Sequence, residues 1–138
     1  MHKLFYHKRI KQCAMRVVVE RELTREDFDS KRISSKLEKL YLMYEEEGDE
    51  ALHRTIREEI PLEVVRRLLS RRMVELIDAL SRSSGESITQ LANSLGRSVA
   101  NVYRDLKFLK RYKLVRFEAR GRERIPLLTL KRVIVSLG

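Results

Sequence analysis

The sequence predicts a mainly α chain that carries one small β-hairpin, preceded by an N-terminal strand and helix. Three observations predict it. Gly and Pro together number only seven in 138 residues, while charged residues make up 36%, a Lys/Arg/Glu-rich and loop-poor profile that favours helices. Apolar residues recur at helical spacing over most of the chain from Thr24 to Lys113. Beyond that, two short runs with strand character flank Gly121.

Taken in order, Met1–Cys13 is basic and aromatic without clear periodicity. Arg16–Glu20 holds three consecutive valines, which are stiff at χ1 and favour a strand. Thr24 with Asp27 three residues on has the form of a capped helix start. The helix it opens runs to about Glu47, with Ile33, Leu37, Leu40, Tyr41 and Tyr44 along one stripe, and the acidic cluster Glu45–Glu50 around Gly48 ends it. A stripe of this size is too large to leave wet on a monomer, so Ile33, Leu37, Leu40 and Tyr44 are expected at a core or a homodimer interface. An extended piece near His53–Ile60 follows. Pro61 is then suited to a first helical position, with Leu62, Val65, Leu68 and Leu69 on a stripe behind it. Ser70 is a candidate cap for the next helix, whose Met73, Leu76, Ile77 and Leu80 face a core before Ser81–Gly85 breaks it.

The order of elements then becomes specific. A short helix over Thr89–Leu95, the turn Gly96-Arg97-Ser98 and a longer helix over Val99–Lys113 have the form of a helix-turn-helix. Leu114–Arg120 reads as a strand, Gly121 as a tight turn between Arg120, Arg122 and Arg124, and Ile125–Leu130 as the returning strand. A basic hairpin in this place is a wing, so the predicted fold is a winged helix-turn-helix domain over residues 61–138, with residues 1–60 as a strand and helix region expected to dimerise.

The charge lies where this motif lies. Residues 1–60 carry 13 Lys/Arg against 13 Asp/Glu, whereas residues 61–138 carry 17 against 7, which is the whole net charge of +10. Concentrated positive charge on a folded segment attracts a polyanion by steering and counterion release, so nucleic acid or an anionic membrane surface is the partner to consider; a solvated basic face is the plain alternative. Helical phase separates two sides of Val99–Lys113. Val99, Val102, Leu106 and Leu109 share one side, while Arg97, Ala100, Asn101, Arg104, Lys107, Phe108 and Arg111 occupy or flank the other. The second set suits a DNA-reading face, since Arg can pair bidentately with guanine and Asn with adenine, and small Ala100 lets the backbone approach. The expected DNA contacts are therefore Arg97, Ser98, Asn101, Arg104, Lys107 and Arg111, with Arg120, Arg122 and Arg124 on the wing. Asp105 is expected to orient Arg104 or another cation, and Phe108 either to meet a thymine methyl or to pack under the wing.

The run Ser87-Ile-Thr-Gln-Leu-Ala-Asn-Ser-Leu-Gly-Arg-Ser-Val-Ala-Asn-Val-Tyr-Arg-Asp-Leu106, with Gly121-Arg122 and Pro126 further on, resembles a family of small winged-helix transcriptional regulators of archaea and bacteria. That family is related to the multiple-antibiotic-resistance and arsenical-repressor regulators. The resemblance covers about Leu69–Leu137, half the chain, with Arg16–Glu20 similar to the family's leading strand. It implies that Asn101 and Arg104 contact bases or phosphates and that the protein forms a homodimer.

Other constellations carry less. His2, His7 and Cys13 lack a fourth partner and zinc-type spacing, Glu45–Glu50 lacks calcium-loop spacing, and a lone Cys13 allows no internal disulfide, so neither a metal nor a structural cysteine is expected. There is no Gly-rich phosphate loop, nucleophile elbow or Ser/His/Asp arrangement, which argues against an enzyme, and no cofactor is expected. No apolar run approaches a membrane span or a secretory signal, and a cytoplasmic protein is expected. The expected partner is double-stranded DNA, with the effector unidentified. Two alternatives stand beside it: a winged-helix module that docks on an acidic surface of the transcription machinery, and an RNA binder, which would want more stacking aromatics than Phe117 supplies.

Overall fold

Val17, Val18 and Val19 do lie in a strand, and its pairing gives the fold a second sheet. A computed structural model describes residues 15–29 and 55–138, and the architecture below is that of these residues. Strand β1 (Arg16–Glu22) leads into helix α1 (Arg25–Asp29); β2 (Thr55–Glu59) precedes α2 (Leu62–Leu68), α3 (Arg71–Arg82), α4 (Ile88–Leu95) and α5 (Val99–Arg111), and β3 (Val115–Arg120), β4 (Glu123–Leu128) and β5 (Leu130–Ser136) follow. The strands form two antiparallel sheets, one in the order β2-β1-β5 and one the hairpin β3-β4.

The expectation of a mainly α chain is thus corrected to a mixed α/β fold. The extended piece near His53–Ile60 is a paired strand, β2. The returning strand of the hairpin ends at Leu128, and after Thr129 the β-branched run Val133-Ile134-Val135 forms β5, where no strand was expected. Because β1 pairs with β5 over Arg16↔Ser136 to Glu20↔Arg132, the sheet draws strands from both sides of residue 60. Pairing skips Lys131 where Glu20↔Arg132 gives way to Arg21↔Leu130, a β-bulge in β5. Thr129 fixes that corner: its hydroxyl donates to the Lys113 carbonyl (2.6 Å), its N–H to the Leu114 carbonyl (3.0 Å), and its carbonyl accepts from the Glu22 N–H (2.9 Å).

Alternate residues of β1, Val17 and Val19, face the core, with Leu68, Met73, Leu76, Leu91, Leu106, Leu109 and Leu114 buried in the same cluster. On the opposite face Glu20 accepts hydrogen bonds from Arg132 (2.9 Å) and Arg57 (3.1 Å), one on each flanking strand, which hold its carboxyl below the usual range.

Arg21 continues the inward alternation of β1 and is fully buried. It is neutralised from two sides. Its Nη1 and Nη2 donate to the two carboxylate oxygens of Asp27 (2.7 Å each), and Nη2 and Nε donate to Glu58 (2.7 and 3.3 Å). Burial alone would raise the pKa of Asp27, but hydrogen bonds from Arg21 and the Thr24 N–H, with the Arg21 charge and Lys113, hold the carboxyl well below the usual carboxylate range. Thr24 and Asp27 form the expected start of α1, with the Thr24 N–H donating to Asp27 (2.7 Å); the continuation expected to Glu47 lies outside the described residues. Lys113 closes this network onto α5. It has φ of 59°, a position usually given to glycine at a helix end, and its Nζ reaches Asp27 at 3.1 Å.

Two helix starts differ in detail from expectation. Pro61 is the residue before α2 rather than its first helical residue, with ψ of 146°. Ser70 does precede α3, but its hydroxyl donates back to the Arg67 carbonyl (2.8 Å) and caps nothing. Among the described residues no helix is long and apolar enough to cross a membrane.

Candidate nucleic-acid interface

The helix–turn–helix segment is built from local signals. Ser87 accepts from the Gln90 N–H (3.2 Å) while the Gln90 side chain accepts from the Ser87 N–H (2.9 Å), a reciprocal capping box that starts α4. Gly96 ends α4 in the left-handed region (φ 62°), and Ser98 starts α5 by accepting from the Asn101 N–H (3.2 Å). Ser87→Ala is expected to cost about 1 kcal/mol of stability, read from urea unfolding, because two first-turn groups lose their partners at once. An unchanged midpoint would show that packing of the buried Leu91 and Ala92 holds α4 unaided.

The structure places the expected contact residues as follows. Ser98 at the cap and Arg104, Lys107 and Arg111 on α5 are exposed and Asn101 is half-buried, while Val102, Leu106 and Leu109 on the other side are wholly buried. Lys107 lies over the Tyr103 ring, 5.1 Å from its centre. Two positions depart from the phase reading. Val99, assigned to the core side, is 44% exposed, and Phe108, assigned to the outer side, is 7% exposed. Phe108 is covered on its flank by α2, where the Arg67 guanidinium stands 4.2 Å from its ring centre, and by Tyr112, which meets the same ring edge-on.

Arg97 is not at the surface with the others. Its side chain is 11% exposed, Nη2 donates to Asp105, and Asp105 also stands 3.7 Å from Arg67. The cations that Asp105 orients are therefore Arg97 and Arg67, not Arg104.

In the hairpin Arg120, Arg122 and Arg124 are all exposed, and Gly121 makes the turn with φ of 63°. Arg120 is partly committed: it stands 4.0 Å from Glu118, and its guanidinium lies so close to Gly85 that a Cβ there would fall 2.8 Å from Nη1. Sequence reasoning missed Lys110, whose Nζ is 5.5 Å from the Phe117 ring centre, and it missed Arg67 and Arg72, which α2 and α3 bring beside Arg97 and Arg104. No local pattern joins those two arginines to α5, and only the packing of the helices shows it. A separate cavity of about 630 Å³ between the β1–α1 turn and β3 mixes Glu22, Glu26, Arg25, Lys110 and Arg116, a lining that favours no one class of ligand. Among the described residues no group of three His, Cys, Asp or Glu could hold a metal ion. The stripe Ile33, Leu37, Leu40 and Tyr44, together with His2, His7, Cys13 and Glu45–Glu50, lies outside the described residues.

No curated protein matches the chain. Twelve solved chains do. One is the crystal structure of the AntR antimony-specific transcriptional repressor, at 18% identity with a TM-score of 0.43, over 78% of this chain and 79% of that one. The model of the family described as HVO_A0114 matches residues 68–135, from the end of α2 to β5, and so takes in the whole of the helix–turn–helix segment and the hairpin.

Proposed function

We propose that this chain is a winged helix-turn-helix regulator of transcription that binds specific sequences in duplex DNA. The observation that carries the reading is the division of α5: one side buried through Val102, Leu106 and Leu109, the other presenting Asn101, Arg104, Lys107 and Arg111, with the exposed arginines of the β3-β4 hairpin following in the chain. In this reading α5 enters the major groove, the hairpin is a wing on adjacent phosphates or minor groove, and residues 61–138 carry the contact. Residues 1–60 dimerise, so the boundary at residue 60 is one of function, since β1 and β2 share a sheet with β5. A dimer would set two α5 helices about 34 Å apart on a pseudo-palindromic operator. The protein works in the cytoplasm, needs no cofactor and catalyses no reaction.

The test begins with selection of a preferred site from a random duplex library, followed by gel shifts of Asn101→Ala and Arg104→Ala on that site and on random DNA. Each substitution should cost about 1–3 kcal/mol on the selected site and much less on random DNA, because the lost bonds go to base edges. The melting temperature should hold, since Asn101 and Arg104 lie outside the apolar core. Unchanged selectivity in a folded variant would remove α5 as a reading helix. Failure of the wild type to bind duplex at low salt would favour docking on an acidic protein surface instead.

A further inference from the structure

The α2–α3 turn and the first two turns of α5 enclose a concavity of about 170 Å³, lined among others by Arg67, Ser70, Arg72, Arg97, Arg104 and Asp105. We propose that this concavity seats a single phosphate group. Four arginines and one carboxylate line it. Asp105 answers Arg97 directly and Arg67 at 3.7 Å, while Arg72 and Arg104 make no ion pair among the described residues, so a surplus of positive charge remains. Like charges gathered around one concavity repel one another, and an anion seated among them offsets that repulsion.

Arg97 gives the surplus a direction. Its Nη2 is taken by Asp105, but Nε and Nη1 are buried without a hydrogen-bond partner among the described residues. Leaving charged N–H donors dry and unmet is costly, and an oxyanion brought against Nη1 would supply the acceptor that it lacks. Arg97 stays in place without the anion because Asp105 holds it. Size then limits the occupant. At about 170 Å³ the concavity is below the roughly 300 Å³ at which small-molecule pockets begin, so it takes one phosphoryl group and not a nucleotide.

The chemistry rests on these contacts alone; the source of the phosphate rests on the DNA reading above. Asn101 and Arg104 border the concavity, so a protein that lays α5 in the major groove would bring a backbone phosphodiester to it. Arg97 then acts as a phosphate anchor that fixes the register of α5 and not as a reader of bases.

Two arms test this on the full chain. In the first, inorganic phosphate replaces chloride at constant ionic strength while the melting temperature is read. A filled seat gives a saturable rise of roughly 3–5 °C at ten times the dissociation constant, absent in Arg72→Ala and kept in Arg122→Ala. In the second, Arg72→Ala is expected to lower the log–log salt slope of duplex binding by about one unit with the selected-to-random ratio unchanged, and Arg72→Lys to restore the slope. A methylphosphonate at one backbone position should then weaken the wild type yet leave Arg72→Ala unaffected. A response in the second arm alone identifies the duplex backbone as the source, and a response in the first arm alone identifies free phosphate; both support the seat. Phosphate stabilisation with no duplex binding at all would sink the DNA reading and leave the seat standing. Duplex binding with no response of a folded Arg72→Ala in either arm would overturn the seat and leave the DNA reading standing.

Discussion

Arg21→Ala is expected to destabilise the protein by about 3–5 kcal/mol, the largest effect of any single substitution considered. The loss does not measure what the ion pairs contribute in sum. It measures the cost of leaving Asp27, itself 1% exposed, as a buried carboxylate that, among the described residues, only Lys113 and Thr24 still contact. Asp27→Asn added to Arg21→Ala should therefore recover part of the loss, because it removes the stranded charge. The pH dependence carries the sign. With Arg21 present the folded pKa of Asp27 is depressed, so its contribution is complete above the unfolded value of about 3.9 and is lost as pH falls from there toward the folded value. The gap between wild type and Arg21→Ala in urea unfolding should consequently be widest at pH 7 and narrow at pH 3. A gap that stays constant across that range would mean the network acts through packing and not through charge.

Replacement of Arg120, Arg122 and Arg124 together by Ala is expected to weaken binding to all duplex DNA alike. Each phosphate contact contributes about 0.9 to the log–log salt slope, which near 0.1 M salt is a factor of about 8 in affinity relative to 1 M. Arg122 and Arg124 are free to make such contacts, whereas Arg120 already lies on Gly85 and near Glu118. The expected change is thus nearer two contacts than three, a slope reduced by about 1.8 and affinity lower by on the order of 50-fold at 0.1 M salt. Selectivity between a preferred site and random DNA should survive. If selectivity collapsed while the slope held, the hairpin would be reading bases, and the division of labour between α5 and the hairpin would be wrong.

What the sequence made legible was local. The cap at Ser98, the turn at Gly96 and the hairpin at Gly121 each draw on neighbours within a few residues, and so the helix–turn–helix segment and its hairpin stood out with their exposed arginines. The capping box of Ser87 and Gln90 was equally local and was overlooked. What stayed hidden depends on partners far along the chain. Strand β5 is defined by β1, and the burial of Arg21 draws on Glu58, 37 residues away, as well as on the nearby Asp27. The site shows the same division. Phase alone sent Arg97 outward and Phe108 to an open flank, because a helical wheel contains no knowledge that α2 would cover that flank and that Asp105 would turn Arg97 inward.

The pairing of β1 with β5 also sets the order in which the chain can fold as it is made. β1 leaves the ribosome with its three valines, and 107 residues lie between Glu22 and Leu130, so its eventual neighbour is the last described strand to be synthesised. Contacts so distant in sequence form slowly, and an unpaired valine strand is a site of mispairing while it waits. β2 arrives much sooner and takes one edge. Glu20 accepts Arg57 from β2 on that side and has its other side open to Arg132, so the same carboxylate that locks the first pair is ready for the strand that completes the sheet. The helix–turn–helix segment, whose contacts are nearly all short in sequence, can form in the interval. Completion of the sheet by β5 must in any case wait until the last described strand has been made.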